Sequence, residues 1–379
     1  MSSLPPPARA LSRRHFLAQS AATLAAAGTV AQLGTTTLAA DAPADRKLGY
    51  AFVGIGSLCM NQLLPGIVQC KHAKPVALVS GHPEKAKQQA EKYGINPKNI
   101  YNYQNFDSIK DNPEVDVVYV VLPNSMHAEY TVRAAKAGKH VQCEKPMAVS
   151  VAECQQMIDA CKAANRKLAI GYRLHYEPNT LACIKAVRDQ EAGKLQLIEA
   201  GAGFSIGDPA QWRLHRALSG GGCLMDIGIY ALQAARYLSG EKPIEVVAQT
   251  FADRDDPRFK EVEQHCNFQL RFPSGVLASC VSSYATGLNR FVAHTTKGSA
   301  SLDPALSYRG VKFHIQRPGQ REESPDLADI DQFAAEIDAF AQCILNNTPS
   351  QTPGEEGLRD VRIMQAIYES AQNGKAVKI

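Results

Sequence analysis

Hydrophobic and polar positions change their spacing along the chain in a way that divides it into two parts. From residue 48 to residue 171, short apolar runs alternate with segments whose apolar residues recur at helical spacing. This alternation predicts βαβ units, and therefore an α/β N-terminal Rossmann domain, residues 48–171, with a doubly wound parallel sheet. The predicted strands cover residues 49–53, 76–80, 115–122, 140–143 and 168–170, and the predicted helices cover residues 58–69, 84–93, 126–137 and 151–163.

The second part of the chain, residues 172–379, has a different rhythm. Several strand-like stretches follow one another there without helices between them. This succession predicts a C-terminal α+β domain with a largely antiparallel open sheet. The predicted strands cover residues 195–203, 244–251, 262–272, 276–283, 290–296 and 310–316, and the predicted helices cover residues 178–191, 222–238, 331–346 and 355–373. We expect the final helix to pack back on the first domain.

Residues 1–40 have the features of a targeting segment. The run Ser12-Arg-Arg-His-Phe-Leu17 is a twin-arginine pattern, and a mildly apolar stretch with many small residues follows it. This is typical of a Tat export signal that is removed on maturation, which predicts a periplasmic protein with a short N-terminal arm at residues 41–47. Because the apolar stretch falls short of the roughly 20 residues that span a bilayer, a retained membrane anchor is the less favoured alternative. We expect no membrane association after the signal is removed.

Composition narrows the classes of partner and cofactor. The net charge is +4 over 379 residues, and the basic residues are scattered without interleaved aromatic residues, so nucleic-acid binding is not expected. Ten cysteines occur, but there is no Cys-x-x-Cys and no Cys/His spacing of the zinc type. Because a Tat substrate folds in the reducing cytosol before export, the sequence predicts no disulfides. It also predicts no metal site.

A glycine turn between the first predicted strand and the first predicted helix indicates a dinucleotide site. Gly54 and Gly56 permit a tight turn and the close approach of a pyrophosphate to the helix N-terminus. Cys59 stands in place of the third glycine of the usual fingerprint, so the motif alone is weak. After the second strand, Ser80 occupies the position where NAD-specific proteins carry an acidic residue, and Lys85 follows in the next helix. These groups suit a 2′-phosphate and predict NADP; the alternative is a turn serine and a solvated lysine.

The order of several further motifs resembles the Gfo/Idh/MocA family of oxidoreductases from about residue 48 to the C-terminus. The combination is far more specific than any one of its parts, and it implies an NADP-dependent enzyme acting on the CH–OH groups of sugars. The motifs are Leu122-Pro-Asn-Ser-Met-His127, Cys143-Glu-Lys-Pro-Met147, Gly171-Tyr-Arg-Leu-His-Tyr-Glu-Pro178, Asp208-Pro-Ala-Gln-Trp-Arg213, Gly220-Gly-Gly-Cys-Leu-Met-Asp226-Ile-Gly-Ile-Tyr230 and Pro353-Gly-Glu-Glu-Gly357.

The resemblance implies roles for particular residues. Ser80 and Lys85 would hold the 2′-phosphate, Tyr103 would lie near the adenosine, and the Lys145–Pro146 peptide bond would be cis. The residues implied to line the nicotinamide half or the sugar pocket are Asn124, Glu144, Lys145, Arg173, Trp212, Arg213 and Tyr308, and those implied to contact the substrate are Lys145, Tyr172, His175, Asp226 and Tyr230. The resemblance also implies that residues 172–379 serve substrate binding and oligomerisation, with a homo-oligomer, a dimer or a tetramer, associated through the open face of the C-terminal sheet.

Lys145, Asp226 and Tyr230 form the expected catalytic group. Oxidising a sugar hydroxyl requires a base for its proton while a hydride leaves the carbon, and a phenol, with an ordinary pKa of about 10, is a poor base near neutral pH. A neighbouring ammonium stabilises the phenolate, so Lys145 would activate Tyr230. Asp226, four residues earlier on the same predicted helix, would orient either partner or a sugar hydroxyl. The alternatives are a surface lysine at a strand end and a buried Asp226–Tyr230 pair without a catalytic role.

Together these features predict an exported NADP-dependent sugar oxidoreductase with a ping-pong cycle. Glucose, or another aldose, would be oxidised at C1 to the lactone, and fructose, or another open-chain sugar, would then be reduced to the alditol, sorbitol in the case of fructose. An aldose–aldose oxidoreductase and a plain NADP-dependent sugar dehydrogenase stay open as alternatives. The resemblance implies a long proline-rich arm that helps to hold NADP, but the arm here, residues 41–47, is short and has one proline, so tight retention of NADP and tetramer formation stay open. A non-catalytic sugar sensor is less favoured, because a sensor does not need the catalytic group.

Overall fold

The computed structural model describes residues 46–379, and the predicted export signal lies outside this range. The first sheet contains β1 (Leu48–Val53), β2 (Ala73–Val79), β3 (Ile100–Tyr101), β4 (Val117–Val120), β5 (His140–Glu144) and β6 (Leu168–Gly171). All its pairings are parallel, and the order is β3-β2-β1-β4-β5-β6. This is the order of a doubly wound dinucleotide-binding sheet, so the predicted fold class is confirmed. The sequence did not predict β3, because two residues carry no periodicity.

Helices connect these strands at nearly the predicted positions. They are α1 (Leu64–Ile67), α2 (Pro83–Tyr93), α3 (His127–Lys136) and α4 (Val151–Ala163). A π-helical turn, Cys59–Leu63, precedes α1 and carries the chain away from the glycine turn. The Ser150 side chain caps α4 by accepting a hydrogen bond from the Glu153 backbone N–H at 3.2 Å.

The C-terminal sheet is mixed and mostly antiparallel, as predicted. Its strands are β7 (Leu195–Gly203), β8 (Glu245–Phe251), β9 (His265–Arg271), β10 (Leu277–Ser283), β11 (Leu288–Thr295), β12 (Ser299–Leu302), β13 (Phe313–Gln316) and β14 (Val377–Lys378). They lie in the order β13-β12-β11-β7-β10-β9-β8-β14, and the one parallel pair joins β7 to β10. The sequence did not predict β12, a short strand between β13 and β11, or β14, a short strand at one edge of the sheet.

Two helices of the C-terminal part pack on the first sheet. The helices after β6 are α5 (Pro178–Arg188), α6 (Arg216–Ser219), α7 (Ile229–Ser239), α8 (Gln332–Leu345) and α9 (Gly354–Asn373). On α8, Phe333, Ile337 and Phe340 share a core with Tyr50 and Phe52 of β1. On α9, a Cβ at Gly357 would lie 2.8 Å from Met147 Cβ, so the helix approaches the segment after β5 closely. From the sequence, only α9 was expected to pack on the first domain, and the packing of α8 there was not predicted.

The ten cysteines lie in the described part of the chain, and all are buried and unpaired. Burial raises the pKa of Cys154 and of Cys161 to about 12, which keeps both thiols protonated and unreactive. Residues 46–379 contain no cluster of three or more potential metal-ligating side chains. Within the same range, no helix has both the length and the apolar character needed to cross a bilayer.

Candidate active site

A cleft of about 870 Å³ opens at the carboxyl ends of β1, β2, β4 and β5, with residues of the C-terminal domain on its other side. The strand order reverses between β1 and β4, which is where doubly wound sheets bind dinucleotides. Most residues that the sequence singled out are brought together here. They are Gly54, Gly56, Ser80, Lys85, Tyr103, Asn124, Glu144, Lys145, Arg173, Trp212, Arg213, Asp226, Tyr230 and Tyr308.

The glycine turn after β1 has the geometry that a pyrophosphate requires. Gly54 has a φ of +92°, and a Cβ there would lie 2.3 Å from the Val121 carbonyl oxygen, so another residue would not fit. A Cβ at Gly56 would meet no protein atom within 4 Å and would project into the cleft. A side chain at position 56 would therefore occupy the space through which a phosphate approaches the following helix. The turn fits the pyrophosphate of a dinucleotide.

Among the described residues, a hydroxyl and an ammonium line the part of the cleft beyond β2, and no carboxylate lines it. Ser80 is buried, and its Oγ accepts a hydrogen bond from the His82 backbone N–H at 3.0 Å. Lys85, near the start of α2, and Tyr103 line the same part of the cleft. Within the described residues, the carboxylates that line the cleft are Glu144, at the end of β5, and Asp226, in the C-terminal domain. This end therefore suits the 2′-phosphate of NADP.

Replacing Ser80 with aspartate should weaken the binding of NADP much more than that of NAD. The new carboxylate would repel the 2′-phosphate but would accept a hydrogen bond from the 2′-hydroxyl of NAD. We expect the dissociation constant for NADP to rise about 100-fold and that for NAD to change less than about threefold, as measured by calorimetry. Ser80→Ala is the matched control, because it removes the hydroxyl without adding charge. Equal losses for the two cofactors in Ser80→Asp would contradict the assignment.

Asp226 is the centre of the hydrogen bonds at the sugar end of the cleft. It lies in the π-helical turn Leu224–Gly228, directly before α7. The Lys145 Nζ donates to the Asp226 backbone oxygen at 2.5 Å and to Oδ1 at 3.2 Å. The Arg213 Nε and the Tyr284 hydroxyl donate to Oδ2 at 3.0 and 3.1 Å. Asp226 therefore orients Lys145, one of the arrangements expected from the sequence.

The neighbouring charges decide the protonation states of Asp226 and Lys145. Burial by itself would raise the pKa of Asp226, but the charges of Arg213 and Lys145 outweigh it and hold that pKa well below its ordinary value. Burial would likewise lower the pKa of Lys145, but the neighbouring Tyr230 and Asp226 raise it above its ordinary value. Both groups are therefore charged near neutral pH. Because such a carboxylate is a very weak base, Asp226 positions Lys145 and does not take the substrate proton.

Tyr230, on α7, lies beside two cations. The Lys145 Nζ is 4.9 Å and the Arg173 guanidinium carbon 5.0 Å from the centre of its ring. The phenolic oxygen accepts a hydrogen bond from the Arg173 Nε at 3.3 Å, whereas the hydrogen bonds of Lys145 go to Asp226. Lys145 is therefore a neighbour of Tyr230, as expected, but it faces the ring, and the cation hydrogen-bonded to the hydroxyl is Arg173. Because a guanidinium is always charged, it stabilises a phenolate at every relevant pH.

Glu144, at the end of β5, belongs to a buried acidic pair. The Tyr119 hydroxyl lies 2.8 Å from Oε1 of Glu144 and 2.6 Å from Oε1 of Glu336 on α8. A hydroxyl donates one proton, so one of these carboxyls must be protonated to complete the second hydrogen bond. Burial raises the pKa of both, and the charge of Glu144 adds to the rise at Glu336, whereas Lys145 opposes the rise at Glu144. The proton therefore belongs on Glu336.

Tyr172 and His175 do not reach the cleft, which corrects their expected contact with substrate. Neither lines it, and Tyr172 is 1% exposed. The His175 Nε2 lies 3.1 Å from Oε1 of Glu356 on α9, and its ring packs 4.5 Å from the ring of Tyr237 on α7. The reason is local: the chain forms a tight 3-10 turn after Tyr172, so consecutive side chains point in different directions and Arg173 alone of the three enters the cleft.

Asn124, Trp212 and Tyr308 also line the cleft, as expected, and each contacts another residue of the protein. The Asn124 side-chain amide donates to the Ser219 carbonyl oxygen at 2.8 Å and joins the segment after β4 to α6. The Arg213 guanidinium lies 4.5 Å from the Trp212 ring. The Tyr308 ring lies 4.9 Å from the Arg173 guanidinium and is 45% exposed. Their positions agree with a role in shaping the sugar end.

No sequence motif pointed to several residues at the sugar end of the cleft. Two of them are buried behind its wall: Tyr284, which donates to Asp226, follows β10, and Gln332, which binds Arg173, begins α8. The wall itself also includes Phe204, Leu288, Asn289, Leu306 and Ser307. Phe204 and Leu288 both reach the cleft because β7 pairs with β11, where Gly203 is opposite Leu288. Such neighbours are far apart in the chain and belong to no motif.

This fold and cleft define a class of protein. A doubly wound sheet offers a glycine turn and a phosphate-binding end for a dinucleotide, and a second domain covers the reacting end with a phenol held by cations. These are the components of a dinucleotide-dependent oxidoreductase.

Comparisons with known proteins agree with this class. Residues 48–172 match the family described as "Oxidoreductase family, NAD-binding Rossmann fold", and residues 180–301 match the "GFO/IDH/MocA C-terminal domain". The chain is 30% identical to "D-xylose 1-dehydrogenase [NADP(+)]" of Haloarcula marismortui, over 88% of this chain and 94% of that protein. The protein therefore belongs to the Gfo/Idh/MocA family of oxidoreductases.

Two solved structures add to this picture. The aldose–aldose oxidoreductase of Caulobacter crescentus, solved with glycerol, is 49% identical with a TM-score of 0.86, over 88% of this chain and all of that one. A 3-ketoreductase from Actinomadura kijaniata, solved with NADP, is 24% identical with a TM-score of 0.77, over 86% and 98% of the two chains. The second likeness shows that the fold is shared.

Proposed function

We propose that this protein is an NADP-dependent aldose oxidoreductase that works through two half-reactions. The observation that carries the proposal is the Tyr230 hydroxyl, which is hydrogen-bonded to Arg173 in the same cleft as the glycine turn and Ser80. The choice of NADP is supported by the described residues that line the cleft after β2, Ser80, His82 and Lys85, none of which is a carboxylate, and by relatives that use NADP.

The residues around Tyr230 account for the proton in each half-reaction. When bound, NADP supplies the nicotinamide ring that takes the hydride from C1 of the aldose. Tyr230 takes the proton of the C1 hydroxyl, and Arg173 and Lys145 stabilise the charge on the phenolic oxygen before that transfer. The lactone leaves, and a second sugar enters in its open-chain form. Tyr230 then returns the proton to the carbonyl oxygen of this sugar as its carbonyl carbon receives the hydride.

The identity of the second sugar, the acceptor, is the more detailed part of the proposal. The sequence favoured fructose, as in glucose–fructose oxidoreductase, with an aldose as the alternative. The 49% identity with an aldose–aldose oxidoreductase favours the aldose. We therefore propose an aldose as both donor and acceptor, with fructose as the second candidate acceptor.

A simple sugar dehydrogenase is the second candidate function. It is favoured by the relative named as an NADP-dependent xylose dehydrogenase. In that case the cofactor leaves after each oxidation, and no second sugar is needed.

The absorbance of the reduced nicotinamide distinguishes these functions. Protein loaded with NADP and freed of excess cofactor is given glucose, then filtered, and then given a second aldose or fructose. We expect the absorbance to rise with glucose, to stay with the protein on filtration, and to fall when the second aldose is added. A fall with fructose alone would favour the ketose acceptor, and passage of the absorbance into the filtrate would favour the simple dehydrogenase. No rise with any sugar would contradict the proposed function as a whole.

We also propose that the protein forms a homo-oligomer in the periplasm, as the sequence predicted. The outer face of the C-terminal sheet supports association, because Val247 and Phe251 of β8 and Leu277 of β10 are about half exposed there. The periplasmic location stays a prediction from the twin-arginine pattern.

A further inference from the structure

Gln332, the first residue of α8, is a buried amide whose contacts lead to Tyr230. It is 1% exposed and lies behind the cleft wall. Its Oε1 accepts a hydrogen bond from the Arg173 Nη1. Its Nε2 donates to the backbone oxygens of Ser307 and Tyr308 at 3.0 and 3.2 Å. Gln332 therefore connects the arginine at the Tyr230 hydroxyl with the loop, residues 306–308, that forms the adjacent wall of the cleft.

The start of α8 fixes the place of this amide. The Asp331 carboxylate caps the helix by accepting hydrogen bonds from the backbone N–H groups of Phe333 and Ala334 at 3.1 and 3.0 Å. The helix is anchored on the first sheet through its apolar face, and the Tyr50 hydroxyl donates to the Ile337 carbonyl oxygen at 3.2 Å. The Gln332 side chain thus projects from a rigid element rather than from a loop.

Arg173 is held by this amide and by the loop together. The Nη2 donates to the Leu306 carbonyl oxygen at 2.8 Å, and the Nη1 donates to Gln332. These two contacts leave the Nε directed at the Tyr230 hydroxyl, 3.3 Å away. Gln332 also donates to the next two carbonyl groups of the loop. It therefore holds Arg173 directly and also fixes the loop whose Leu306 carbonyl group accepts from Arg173.

The acceptors of Arg173 share one property, which is that they are neutral. A buried arginine usually pairs with a carboxylate, but among the described residues Arg173 forms no ion pair, and its acceptors are an amide, a carbonyl group and a phenol. Glu144 and Glu336 are close enough for the charge of Arg173 to lower their pKa values against the effect of burial, yet neither accepts a hydrogen bond from it. Its charge is therefore not cancelled by a direct partner.

We propose that Gln332 is a positioning residue for the reaction: it holds Arg173 at the Tyr230 hydroxyl with a neutral acceptor, so that the full positive charge faces the phenolic oxygen. A carboxylate at position 332 would hold Arg173 equally well but would cancel its charge. This inference rests on the proposed function, because it gives the Arg173–Tyr230 contact its role in proton transfer.

A pair of variants of similar size tests the role of the charge. Gln332→Glu and Gln332→Met both lose the hydrogen bonds to the carbonyl groups of Ser307 and Tyr308, but only Gln332→Glu adds a negative charge beside Arg173. We expect kcat of Gln332→Glu to fall about 10- to 100-fold with the NADP dissociation constant unchanged, and its pH–rate profile to move about one unit higher. Gln332→Met also loses the hydrogen bond to Arg173 but leaves the charge of Arg173 intact, so it should lower kcat and raise the KM for the sugar while displacing the profile less than Gln332→Glu.

Hydrogen exchange of the loop supplies a readout that does not depend on turnover. The amides of residues 306–308 should exchange faster in both variants than in the wild-type protein. Wild-type kcat and pH–rate profile in Gln332→Glu, or equal profiles in the two variants, would overturn the role of the neutral acceptor. Unchanged exchange in both would overturn the positioning of the loop.

The two proposals fail in different ways. If no sugar reduces the bound cofactor, the proposed function is wrong. If Tyr230→Phe keeps wild-type turnover, Tyr230 is not the base, and the role of Gln332 at its hydroxyl is wrong as well. If Tyr230→Phe is inactive and Gln332→Glu is indistinguishable from wild type, only the inference about Gln332 is wrong.

Discussion

Replacing Tyr230 with phenylalanine is expected to lower kcat by about 100- to 10,000-fold, because the base that takes the sugar proton is removed. The phenyl ring keeps the packing of the site, including the faces beside Lys145 and Arg173. The NADP dissociation constant should therefore stay within about twofold of wild type, since the glycine turn and Ser80 are untouched. Steady-state rates with glucose and a calorimetric titration with NADP measure the two effects.

Tyr284→Phe is the matched control for this prediction. Tyr284 is also a buried tyrosine of the site, but its hydroxyl donates to Asp226 rather than facing Arg173. Arg213 and Lys145 still hold the carboxylate when that hydroxyl is lost, so we expect a loss in kcat of less than about tenfold. Comparable losses in the two variants, or near-normal turnover in Tyr230→Phe, would show that Tyr230 is not the base.

Replacing Asp226 with asparagine is expected to reduce both turnover and stability. The amide retains the shape of the carboxylate but leaves Lys145 and Arg213 without a compensating charge, and an unpaired buried charge is costly. We expect kcat to fall about 100-fold because Lys145 is no longer held beside Tyr230. The free energy of unfolding should fall by about 3 kcal/mol at neutral pH, as measured by denaturant titration.

The loss of stability in Asp226→Asn should depend on pH in a direction that follows from the pKa of Asp226. The pKa of Asp226 is depressed in the folded protein. Its ionised form therefore contributes stability above the unfolded pKa of about 3.9, and this contribution disappears as the pH falls through the folded pKa. The difference in stability between wild type and Asp226→Asn should be complete at neutral pH and should narrow in acid.

Asp256→Asn is the control for Asp226→Asn. Asp256 forms an ion pair with Arg258 at 2.6 Å near the surface, and such pairs contribute little. We expect no measurable change in kcat or in the unfolding midpoint. A difference between wild type and Asp226→Asn that widens in acid would contradict the account of the ion-paired carboxylate.

Local signals in the sequence predicted most of the first domain. Helix α4 was predicted at residues 151–163 and is found at Val151–Ala163, because its cap and its apolar spacing lie within the element itself. By contrast, β3, β12 and β14 have two to four residues each. Such short strands exist through hydrogen bonds to distant partners, and no periodic pattern reveals them.

The residues of the candidate site divide in the same way, into those that local sequence signals predict and those that the tertiary structure places. Gly54, Ser80 and Lys85 were found because their positions relative to β1, β2 and α2 are local features of a dinucleotide fold. Tyr172 and His175 were misplaced because a motif states which residues are neighbours in the chain, and a tight turn after Tyr172 sends their side chains away from the cleft.

The sequence by itself determined the α/β fold, and it predicted the dinucleotide turn and the residues that we propose to carry the chemistry, because each of these features depends on spacing within one strand–turn–helix unit or one motif. Only the tertiary structure decided which cation meets which oxygen. Lys145 is bonded to Asp226, and Arg173 is bonded to Tyr230, with Gln332 supporting Arg173 from α8. These contacts join segments that are 57 to 159 residues apart, and side-chain direction at such distances is set by the packing of α8 and the C-terminal sheet against the first domain.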